Sequence, residues 1–72
     1  MTKSYMKRYI LKYQNDIDER VLEEYPELPY SEEELNEMNY KEMKVAFTDL
    51  VKAEDETYKL YDKEVIRHGR SE

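Results

Sequence analysis

The sequence predicts an all-α fold, a small helical hairpin or three-helix domain with two long antiparallel helices and a short connecting helix. Three observations carry this expectation. Apolar residues recur at helical spacing through both halves of the chain. A nearly complete helix-start signal occupies Tyr30 to Leu35. A single glycine and two prolines in 72 residues leave too few tight turns for a β-rich fold.

The first helix is expected over residues 4–24, starting near Thr2–Ser4. Met6, Ile10, Tyr13, Ile17 and Val21 follow one another at steps of 4, 3, 4 and 4, which is one helical face. Tyr5, Tyr9, Leu11 and Leu22 widen that stripe to core-facing breadth. Pro26 ends the helix, because the residue before a proline is pushed out of the α region. Glu27-Leu28-Pro29-Tyr30 then reads as a stiff, extended connector.

Ser31 and Glu34 form a capping box, and Tyr30 is placed to staple onto Leu35, so a short helix is expected over 31–37. Asn39 followed by Glu42 repeats the cap signal and opens a long helix expected over 40–67. Its apolar face runs through Met43, Phe47, Leu50, Tyr58, Tyr61 and Val65, with Glu54 interrupting, and the pattern allows a break near Asp55. Arg67, His68 and Gly69 read as a basic last turn and a C′ glycine. The expected core is Met6, Ile10, Ile17, Val21, Leu35, Met43, Phe47, Leu50, Val51 and Val65, within one domain over 1–72.

Composition narrows the function. No stretch approaches the roughly 20 apolar residues of a membrane span. No apolar segment follows the N-terminal lysines, so no secretory signal is expected and a cytoplasmic setting is. Without cysteine there is no disulfide framework and no thiolate zinc site. His68 is the single imidazole, which excludes a two-histidine metal site, and its place near the chain end offers no pocket for a Ser–His–Asp arrangement. Asn15-Asp16-Ile17-Asp18 lacks the central glycine of a calcium loop and sets Ile17 on the apolar face. The expectation is a non-enzyme that holds neither metal nor cofactor.

Charge is segregated. Residues 1–15 carry Lys3, Lys7, Arg8 and Lys12 and no acid, whereas residues 16–37 carry ten acids and only Arg20. Those acids are Asp16, Asp18, Glu19, Glu23, Glu24, Glu27, Glu32, Glu33, Glu34 and Glu37. On a continuous helix Asp16, Glu19 and Glu23 share a face with neighbours about 5–6 Å apart. Such a row imitates the phosphate charge of nucleic acid and fits a groove lined by Lys and Arg. The order of charges, cations first and acids last, opposes the macrodipole of the first helix at both ends. Lys41 and Lys44 are the expected neutralisers of Asp16–Glu24. Tyr30 joins the acids as a candidate contact, since tyrosine is enriched at binding hot spots.

In size, acidity, helical content and its eight tyrosines, the chain resembles the small acidic inhibitor proteins encoded by bacteriophages, the anti-CRISPR and DNA-mimic class. The resemblance covers the whole chain by composition and rests on the Asp16–Glu37 block. It implies a stoichiometric inhibitor, monomer or homodimer, that blocks DNA recognition by a basic nucleic-acid-binding protein such as a Cas nuclease, without binding nucleic acid itself. One alternative is a small nucleic-acid-binding regulator using the bases and aromatics of residues 3–13 together with Lys59, Lys63, Arg67 and Arg70. A structural helical dimer is another.

Overall fold

The computed structural model describes the backbone of residues 1–71 and the side chains of residues 1–63. Among the described residues the chain is all-α: α1 (Lys3–Tyr13), a 3₁₀ turn (Gln14–Asp16), α2 (Glu19–Leu22), α3 (Glu32–Glu37) and α4 (Tyr40–Ser71). At 1.5 Å per residue α4 alone measures about 48 Å, and the molecule's long axis is 50 Å.

Local chemistry sets each start. The Thr2 side chain accepts from the Tyr5 N–H and opens α1. Ser31 and Glu34 form the complete capping box of α3. Asn39 Oδ1 accepts from the Glu42 N–H and Glu42 Oε1 from the Asn39 N–H, a second reciprocal box at the head of α4. The short helix and the break before Tyr40 therefore stand where the cap signals place them.

The first helix is shorter than expected. It does not run to residue 24: α1 ends at Tyr13, the 3₁₀ turn follows, and the helical path breaks at Ile17, while Gln14 turns its carboxamide inward to pair with the peptide of Tyr30. Ile17 and Asp18 are extended, and Asp18 caps the separate turn α2. The connector then returns along the molecule, with a cis peptide at Leu28–Pro29.

This return overturns the antiparallel hairpin: α1 and α4 run parallel. The Tyr40 hydroxyl donates to the Met1 carbonyl (3.2 Å), the Tyr5 and Phe47 rings lie 6.5 Å apart, and the Asp18 N–H donates to Thr57 Oγ1 (3.2 Å). Residue numbers rise together in both helices. The physical reason is the early break at Ile17, after which the intervening segment spends its length going back and brings α4 in beside the start of α1.

The core holds Met6, Ile10, Ile17, Val21, Leu28, Tyr30, Leu35, Met43, Ala46, Leu50 and Ala53. On α4 the buried face is Met43, Ala46, Leu50, Ala53 and Thr57: Met43 and Leu50 are buried as expected, but Ala46, Ala53 and Thr57 take the places read for Phe47, Glu54 and Tyr58. Two alanines belong to this buried face, and a count of large side chains passes over them. Phe47 is consequently only half-buried and Val51 is 42% exposed, so neither is a core residue in the expected sense. α4 carries no break at Asp55 and continues through Gly69 to Ser71, beyond its expected end at residue 67. The side chains of Val65, Arg67, His68 and Arg70 lie outside the described residues.

Candidate functional site: an acidic connector and an aromatic flank

The two flanks of the α1–α4 pair differ in chemistry. On α1, Met6, Ile10 and Gln14 are buried, with Lys7 on one side of them and Tyr5, Tyr9 and Tyr13 on the other. Lys7 faces α3, where its Nζ meets Glu32 Oε1 at 3.3 Å. On α4, Asp49 and Glu56 flank the side occupied by the connector, whose Tyr25 interacts with Glu56. Phe47, Glu54 and Tyr58 stand on the opposite flank, with the tyrosines of α1.

The ten acids of residues 16–37 divide into those the fold uses and those it leaves. Asp18 caps α2 and chelates Arg20 through Nε at 2.9 Å and Nη2 at 3.1 Å. The side-chain hydrogen bond from Arg20, then the one from its backbone N–H, hold the Asp18 carboxyl down at about 2. Glu27 accepts from the Tyr30 hydroxyl at 3.1 Å, Glu32 pairs with Lys7, and Glu34 completes the capping box. Glu24 lines a groove of about 330 Å³ with Arg20, Glu56, Lys59 and Lys63. Asp16, Glu19, Glu23, Glu33 and Glu37 are exposed and form no ion pair among the described residues.

Several site expectations change with this geometry. Asp16, Glu19 and Glu23 are not a row on one helix, since extended residues at Ile17 and Asp18 separate Asp16 from α2. Glu33 and Glu37 do share a face of α3, four residues apart. Tyr30 is 8% exposed and gives its ring to the core, with burial and the hydrogen bond to Glu27 raising its hydroxyl pKa to about 12. Lys41 and Lys44 sit near the head of α4, whereas Asp18 lies beside Thr57 much further along, so they do not neutralise the α2 acids. Lys7, from the basic first segment, lies against α3. Lys59 and Lys63 do not join the basic N-terminal helix; they line the groove beside α2, and Lys59 pairs with Asp55 at 3.0 Å.

The aromatic flank is the feature sequence reasoning saw only as scattered tyrosines. Ring centroids lie 6.2 Å apart for Tyr5–Tyr9, 4.6 Å for Tyr9–Tyr13 and 5.1 Å for Tyr9–Phe47. The Tyr9 hydroxyl donates to Glu54 Oε1 at 2.8 Å, and that hydrogen bond, followed by burial, raises its pKa to about 12. Glu54, which interrupts the apolar pattern, is the acceptor that lets Tyr9 lie half-buried. Lys12 Nζ stands 5.3 Å from the centre of the Tyr13 ring, a cation–π contact.

Among the described residues no cluster of His, Asp or Glu suits a metal ion, and no helix is long and apolar enough to cross a membrane. No protein-family model, no curated protein and no solved structure matches the chain.

Proposed function

We infer that the protein is a stoichiometric binding protein whose acidic connector occupies a basic, nucleic-acid-binding surface of a partner protein. One observation carries this: Asp16, Glu19, Glu23, Glu33 and Glu37 are exposed on the return segment and unpaired among the described residues. The frame behind them is held by the Gln14–Tyr30 pair, the Asp18 cap and the two capping boxes. Carboxylates on a braced segment bind with little ordering left to oppose association. Their role is electrostatic, replacing backbone phosphates in a groove of Lys and Arg. The compositional resemblance to anti-CRISPR and DNA-mimic proteins supports a Cas nuclease as the particular partner, with DNA recognition as the step blocked.

The test is competition. Guide-loaded Cas nucleases are mixed with labelled target duplex and increasing amounts of the protein, and bound DNA is read by gel shift. Loss of the nuclease–DNA band, with no shift of DNA by the protein alone, supports the proposal. Direct binding of DNA or RNA by the isolated protein at physiological salt would move the function to the basic, aromatic face of α1.

A further inference from the structure

We propose that the aromatic flank is a self-association surface on which two copies of this chain pair about a two-fold axis near Tyr13. The flank contains two adjoining hollows that share Tyr13. One, of about 530 Å³, is walled by Tyr5, Arg8, Tyr9, Lys12 and Tyr13. The other, of about 300 Å³, includes Tyr13, Asp16, Glu54, Tyr58 and Tyr61. The first therefore carries exposed cations and the second carboxylates, and both have tyrosine walls. A two-fold contact sets a surface against its own inverted copy. Inversion about Tyr13 lays the basic hollow of each copy on the acidic hollow of its partner, so the charges are complementary at both ends at once.

The apolar content is also of the right order. Tyr58 is 71% exposed, Tyr5 49% and Tyr61 45%. At roughly 200 Å² per tyrosine, these three alone expose about 330 Å². That already falls within the largest-patch range of an ordinary monomer, about 300–600 Å². With the half-buried Tyr9, Tyr13 and Phe47 added, closing two such faces buries on the order of 1,000 Å², the lower limit for specific association. The dimer is accordingly weak and reversible. Tyr58, the most exposed ring on the flank, is placed to enter the Arg8–Lys12 hollow of the other copy, where cations meet its face.

Of the five exposed acids of residues 16–37, Asp16 is drawn into this contact, whereas α2 and α3 lie toward the other flank of the α1–α4 pair and stay open. The inference stands on the flank alone and needs no partner protein for its test. Sedimentation velocity is run from low-micromolar to near-millimolar chain concentration, with circular dichroism as the folding control. Wild type is expected to shift from one chain mass to two across the range. Tyr58→Lys, Arg8→Glu/Lys12→Glu and Asp16→Lys, all at exposed positions, are each expected to stay at one chain mass with helix content unchanged. Mixing the Arg8→Glu/Lys12→Glu chain with the Asp16→Lys chain restores opposite charge at both ends, and the dimer is expected to return. Wild type at one chain mass throughout overturns the proposal. So does a dimer that persists in all three variants, a mixture that stays monomeric, or a monomer whose tyrosine flank binds single-stranded nucleic acid instead.

Discussion

The carboxamide of Gln14 closes a two-point ring on the peptide of Tyr30: Nε2 donates to the Tyr30 carbonyl and Oε1 accepts from the Tyr30 N–H, each at 2.8 Å. Gln14 is only 6% exposed, so both backbone groups depend on it instead of on water. The pair pins the returning connector to the end of α1, sixteen residues later in the chain. Gln14→Ala leaves a buried N–H and a buried carbonyl unsatisfied, at about 1–3 kcal/mol each. A total loss of about 2–6 kcal/mol is expected in chemical denaturation. Gln14→Glu keeps the acceptor but sets a carboxylate against the Tyr30 carbonyl, and it is expected to be destabilised most at neutral pH and least in acid.

The two capping boxes act at separate helix starts. Ser31→Ala and Asn39→Ala should each cost about 1 kcal/mol. The sites share no hydrogen bond, so the double variant should lose close to the sum. Urea midpoints of the three variants check this.

The buried face of α4 includes small residues. Ala46 is 2% exposed and Ala53 is fully buried, whereas Val51 is 42% exposed. Ala53→Leu forces extra volume between the helices and should destabilise by about 1–3 kcal/mol. Val51→Ala should change stability by about 0.5 kcal/mol or less. The face drawn from large residues predicts the reverse order, so thermal denaturation of these two variants separates the alternatives.

Stability should fall at both pH extremes for identifiable reasons. The Asp18 carboxyl is held at about 2 in the folded chain against 3.8 ordinarily, chiefly by Arg20. Its contribution is complete above about pH 3.8 and is lost as pH falls through 2. At the other limb the Tyr9 and Tyr30 hydroxyls are raised from 10.0 to about 12. Their contribution is complete below about pH 10 and is lost as pH rises through 12. Asp18→Asn should flatten the acid limb and leave the alkaline one, and Tyr9→Phe should do the opposite, in denaturation curves taken across pH.

Much of this fold is legible locally and little of it globally. Thr2, Ser31 and Asn39 announce helix starts because capping is an interaction over three residues, visible in the sequence. The direction of α4 is not visible, because it follows from Gln14 reaching Tyr30, a contact that polar residue types do not advertise. Periodicity placed Met43 and Leu50 in the α4 core correctly but passed over Ala46, Ala53 and Thr57, which weigh little beside Phe47, Val51 and Tyr58. Of the candidate site, the acidity of residues 16–37 was readable. The use of Glu34 in a capping box was readable too, but that Asp18, Glu27 and Glu32 are spent emerges only from the packing of Arg20, Tyr30 and Lys7.

The central claim is that the unspent carboxylates of the connector bind a basic nucleic-acid site. Its most direct test compares inhibition of DNA binding by a guide-loaded Cas nuclease for two charge-reversed chains at two salt concentrations. Glu33→Lys/Glu37→Lys reverses the exposed face of α3, and Lys3→Glu/Arg8→Glu reverses exposed cations of α1. The acidic-face variant should lose inhibition at both salts with its helix content intact, the α1 variant should keep most of it, and wild-type inhibition should weaken as salt screens the contact. Equal inhibition by wild type and the Glu33/Glu37 variant, or a greater loss from the α1 changes at both salts, would contradict it.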